Sequence, residues 1–204
     1  MNDIHDEMLV GRVLRASTRG FACGTQSNRV DERHDFGAFV NTAAANNEAI
    51  RVVGLIYSVE IKDDLLVNEL VMAEDLNNSV LMDQRRNRMV PMEISVLNIG
   101  YFTRGYPVHN LPPRPPMSLS RVEQCTPDQI VAFTESQEFF PLVLNAAEVP
   151  SDDLIGAAIR YAAWQREDSA RYPFLVDCGR ALARLLAHDL KRLEHVLALI
   201  RPDV

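Results

Sequence analysis

With 204 residues, 47% of them hydrophobic and 24% charged, the chain can bury a sizeable core without disulfides or a structural metal, and its composition excludes the disordered, collagen-like and disulfide-scaffold classes. Its 21 Lys and Arg against 28 Asp and Glu leave a net charge of -7, which argues against a protein whose main task is to coat nucleic-acid phosphates. No apolar run reaches the roughly 18 residues of a membrane-spanning helix, and residues 1–8 show neither a basic nor an apolar leader segment, so the sequence reads as cytoplasmic with no membrane partner.

Period-two patterning dominates the first half. Short strands are expected at residues 8–18, 21–26, 36–40 and 106–109. The segment 52–61 alternates Val53, Leu55, Tyr57, Val59 and Ile61, but the residues between are also apolar, so it reads as a strand buried on much of both faces. At 90–101, Val90, Met92, Ile94 and Val96 alternate with Pro91, Glu93 and Ser95, which predicts one wet face. About six strands at this spacing, with Gly11, Gly37 and Gly54 in or beside them, suit a small closed barrel. Between the two strongest strands, residues 62–88 change to helical spacing and read as an insertion. Leu111, Pro112, Pro113, Arg114, Pro115 and Pro116 then form an extended proline-rich segment, with two overlapping P-x-x-P frames of the kind that partner domains bind.

Helices follow. Thr126-Pro127-Asp128-Gln129 is a capping box with proline at the first helical position, predicting a helix over 127–136. A second is expected from Ser151 to near Glu167, with Leu154, Ile155, Ala158, Ile159 and Ala162 on one face. A third is expected over 173–200, where Leu182, Leu186, Leu190, Leu193, Leu197 and Ile200 recur at spacings of three and four. Such a seam serves either packing within the chain or association with a second copy. The expected class is therefore α+β: a barrel over 1–110 with its insertion, a connector over 111–125 and a helical domain over 126–204.

Val10-Gly11-Arg12-Val13-Leu14, Phe36-Gly37-Ala38-Phe39-Val40 and Val52-Val53-Gly54-Leu55-Ile56-Tyr57-Ser58-Val59 resemble, in this order, the strands of the HAS-barrel, the small β-barrel shared by HerA-type DNA-pumping ATPases and rotary ATP synthases. The resemblance covers residues 8–108 and implies an assembly role, docking a P-loop ATPase or nuclease of a DNA-processing system. The chain departs from the motor enzymes in having no G-x-x-x-x-G-K-S/T loop, so nothing in it cradles a triphosphate, and no cofactor is expected.

Other chemistry is thinly represented. There is no C-x-x-C, H-E-x-x-H or G-x-S-x-G motif, and Cys23, Cys125 and Cys178 read as reduced, unpaired thiols. Two sets of residues remain for binding. Leu186, Leu190, Leu193, Leu197 and Ile200, with the proline segment 111–116, are the candidates for a protein partner or a second copy. Arg85, Arg86 and Arg88, with Tyr101, Phe102 and Tyr106 around the Arg104-Gly105 turn, are the candidates for a weak nucleic-acid contact, the arginines meeting phosphates and the rings stacking on bases. The expected function is a non-catalytic docking module, with a stand-alone nucleic-acid-binding barrel as the alternative and an enzyme with an unrecognised site as the third reading.

Overall fold

The computed structural model describes residues 8–61 and 91–201. The insertion expected at 62–88, and with it Arg85, Arg86 and Arg88, lies outside the described residues. These form seven strands, β1 (Leu9–Ala16), β2 (Gly20–Gln26), β3 (Phe39–Ala44), β4 (Asn47–Ile61), β5 (Pro91–Thr103), β6 (Tyr106–Val108) and β7 (Arg121–Gln124). Five α-helices follow: α1 (Pro127–Phe133), α2 (Phe140–Leu144), α3 (Ser151–Trp164), α4 (Asp168–Leu185) and α5 (Leu190–Leu199).

Every strand pair is antiparallel. The order β2-β1-β7-β3-β4-β5 closes on itself because β2 also pairs with β5, and the result is a six-stranded barrel. Closure satisfies the backbone groups that an open sheet leaves at its edges. The long β5 makes this possible: Pro91 to Leu97 pair with β2, Tyr101 to Thr103 pair with β6, and β4 runs along most of its length. β4 and β5 stay paired as far as Ile61 and Met92. The α+β class and the N-terminal barrel expected from the sequence are what the chain forms.

The identity of the sixth stave differs from expectation. Tyr106–Val108 only folds back antiparallel on the end of β5, outside the closed ring, whereas β7, inside the segment expected to be a connector, fills the gap between β1 and β3. Arg-Val-Glu-Gln carries little periodic signal because only Val122 is buried; the ladders on both sides hold it in extended form. The proline segment straps the turn between β3 and β4. The Ala45 N–H donates to the Pro115 carbonyl at 2.9 Å, and Pro116 bridges to Ala44.

Two apolar clusters build the core. Val10, Val13, Phe21, Cys23, Ala38, Val40, Ile56, Ile94, Val96 and Val122 form a cluster drawn wholly from the barrel strands and the residue leading into β3. Phe39, Val53, Leu55, Leu97, Ile99 and Phe102 belong instead to a second cluster, which the five helices complete. That division explains the doubly apolar pattern of β4, where Ile56 packs in the barrel cluster while Val53 and Leu55 face the helices. Gly37 makes the close approach possible: it sits at φ 85°, and a Cβ there would lie 2.7 Å from that of Ala157 on α3. The wet face expected on β5 is modified at Glu93, which is buried and held by an ion pair with Arg15.

The single long helix expected over 173–200 is two helices. Asp189 accepts from the Arg192 N–H at 3.0 Å and caps a new start, so α5 turns back against α3 instead of continuing α4. The Arg192 side chain secures it, donating to Asp152 at 2.7 Å, to the Leu144 carbonyl at 2.9 Å and to Ser151 Oγ at 3.0 Å. The Thr126–Gln129 capping box forms as expected, with bonds of 3.2 and 2.9 Å. α2 carries no clear sequence signal and is set by burial of Phe140, Val143 and Leu144.

Candidate docking surface

The leucine seam is directed inward. Leu186 and Ile200 are buried, and Leu193 and Leu197 are half-buried against the helical cluster. Leu190, 71% exposed, is the one member that projects into solvent. The proline frames are similarly reduced. Pro112 and Pro116 are buried, so each P-x-x-P frame loses one proline to the interior, leaving Leu111, Pro113 and Arg114 exposed.

The aromatic trio separates by role. Phe102 is buried, its ring edge-on to Phe133 at 5.7 Å, and offers no face to a base. Tyr101 is half-buried, and Tyr106, at the start of β6, is 75% exposed. Among the described residues no three of His, Cys, Asp and Glu gather as a metal-binding group. Burial pushes the thiols of Cys23, Cys125 and Cys178 up to about 12, far from the thiolate that a nucleophile needs.

A more informative surface lies on the side of the barrel that the helices leave open. No residue of β1 or β2 belongs to the helix-covered cluster. Against β1 runs the chain entering β7, where Met117 to Ser120 makes a turn closed by the Ser120 N–H on the Met117 carbonyl at 3.2 Å. Leu119 occupies this turn at φ 67° with its side chain 70% exposed. Both features are unfavourable for a leucine. The left-handed conformation costs an L-residue roughly 1–2 kcal/mol, and glycine or asparagine is the usual solution.

Three bonds nonetheless fix it. The Leu119 N–H donates to the Val13 carbonyl at 2.8 Å, the Val13 N–H donates to the Ser120 carbonyl at 3.0 Å, and the Arg12 guanidinium donates to the Leu119 carbonyl at 3.1 Å. Met117 in the same turn and Leu14 on β1 are also exposed. Sequence patterning cannot find such a site, because a lone leucine between serines has no period.

Elsewhere on the barrel, Arg15, Arg19, Tyr57, Ser95 and Glu148 are among the residues that line an open groove. Its cations are held internally: Arg15 pairs with Glu93, and Arg19 pairs with Glu148 at 3.0 Å. The groove is therefore not a free cationic track. Comparison of the sequence with protein-family models finds no match, and comparison with curated proteins finds no relative.

Proposed function

We propose that the chain is a docking module built on a HAS-type barrel, whose helix-free face engages a P-loop ATPase or nuclease of a DNA-processing system. The observation that carries this reading is Leu119. An exposed leucine held in a left-handed turn by two main-chain bonds and the Arg12 guanidinium is costly to the free protein, and strain of this kind is characteristically retained where the side chain has work to do. A fixed, exposed apolar side chain suits insertion into an apolar pocket of a protein. The barrel supports the knob as a scaffold, since its interior is filled by side chains. The HAS-type strands contribute β1 directly to the knob's footing through Arg12 and Val13.

Affinity capture from the native lysate at about 0.15 M salt tests the proposal, because attraction between exposed charges is then screened beyond roughly 8 Å. A P-loop ATPase or nuclease retained by the parent protein and lost by Leu119→Gly is the expected result. Leu119→Gly also relieves the turn, so its stability should equal the parent's or exceed it by up to about 1 kcal/mol. Retention by both proteins overturns the role of Leu119.

Tyr106 favours a second reading, a nucleic-acid-binding barrel, because its ring stands exposed beside the exposed Arg104. On that reading an oligothymidylate binds at low salt, releases as salt rises, and binds less to Tyr106→Ala.

A further inference from the structure

A second surface, on the far side of the helical layer, has a different chemistry. The end of α3, the first turns of α4 and the end of α5 enclose a pocket of about 260 Å³ lined by Ala163, Trp164, Tyr172, Leu175 and Ile200. Trp164 is 64% exposed and Tyr172 66% exposed, so two of the largest apolar surfaces of the chain are turned outward at one place. The indole is not loose. The Arg171 guanidinium lies 4.4 Å from its ring, and is itself fixed by Asp168 at 2.7 Å and by the Arg166 carbonyl at 3.2 Å. Stacking and ion pairing together hold the aromatic wall ready for a ligand.

Two further arginines, Arg160 and Arg201, stand exposed on the rim, and neither has a carboxylate partner among the described residues. The lining thus holds three arginines against one aspartate in a chain of net charge -7. Local positive charge gathered against the overall sign, around an apolar floor, is complementary to an apolar group flanked by carboxylates. Trp, Tyr and Arg are also the residues that most often dominate binding energy at protein interfaces.

We infer that this pocket binds an acidic linear peptide of a partner protein, seating one large apolar side chain between Trp164 and Tyr172 and placing flanking carboxylates on Arg160 and Arg201. A single-stranded nucleic acid fits less well. Asp168 neutralises one of the three cations, and the aliphatic floor of Ala163, Leu175 and Ile200 suits a side chain better than a base. This site is separate from the Leu119 knob, and either can fail without the other.

Trp164 is the chain's single tryptophan, so its emission reports on this pocket alone. The experiment titrates the purified full chain at about 0.15 M salt with a panel of tryptophan-free nonapeptides, each carrying Phe, Leu, Ile or Tyr at the centre between Asp and Glu. Lys-flanked versions and an oligothymidylate serve as comparisons. The expected result is a saturable blue shift and reduced acrylamide quenching with acidic peptides only, weakened at least about tenfold in the exposed-site variant Arg160→Glu, Arg201→Glu. A thermal unfolding curve matching the parent's shows that the variant is folded; should it not be, Arg160→Gln, Arg201→Gln replaces it, with weakening again expected. An emission unmoved by every acidic peptide, an equal response to the Lys-flanked set, or a larger response to the oligothymidylate overturns the inference.

Discussion

Burial of Cys23, Cys125 and Cys178 has a direct chemical consequence. With all three thiols pushed up to about 12 by loss of solvent, a thiol reagent at pH 8 should leave the native protein unlabelled over minutes and label three groups in guanidinium. Rapid labelling of the native protein would place a thiolate at the surface. Asp31 responds to pH in the opposite sense. The Arg33 side chain donates to its carboxylate and holds it well below the usual carboxylate range. A depressed folded value means that this contribution is present above the unfolded value of about 3.9 and is lost as pH falls through the folded value. Asp31→Asn should therefore lower stability at pH 7, by no more than about 1 kcal/mol for so exposed a pair, with the difference from the parent shrinking below about pH 4. A difference independent of pH in denaturant titrations would remove the carboxylate from this explanation.

At the scale of elements, the barrel depends on β7. A fragment ending at residue 110 lacks the strand that joins β1 to β3, so it should show no cooperative unfolding by circular dichroism; a cooperative transition would mean that the barrel closes some other way. Helix packing makes a parallel prediction. Leu182 is fully buried, and Leu182→Ala should cost about 2–5 kcal/mol. Leu193→Asp should lower stability at unchanged mass in light scattering, because Leu193 packs within its own chain; altered mass would restore the seam as a contact between copies.

These elements show what sequence could and could not reveal. β4, β5 and α3 were legible because long apolar periods survive any tertiary context. The Thr126 cap was legible because it is local chemistry. β7 was not, being four residues held by two neighbours, and the break at Asp189 was not, because the leucine spacing continues through it while the decisive contacts come from Arg192 and α3. The two proposed docking surfaces were the least legible. Leu119 and Trp164 matter through conformation and exposure, which no single sequence displays.

Across the whole molecule, barrel and helices share one structural fate. The helical cluster takes its floor from β3, β4 and β5, and Tyr161 packs against both clusters while accepting a 2.5 Å bond from Gln124 of β7. The arrangement leaves β1, β2 and the Leu119 turn as the side without helices, the face proposed above to engage a partner. Site-specific replacement of Leu119 by a photo-crosslinking phenylalanine analogue, followed by irradiation in the native cell and mass spectrometry of the products, tests that claim most directly. A crosslink to a P-loop ATPase or nuclease subunit is the expected result. Crosslinks confined to this chain, or to proteins unconnected with DNA processing, would contradict it.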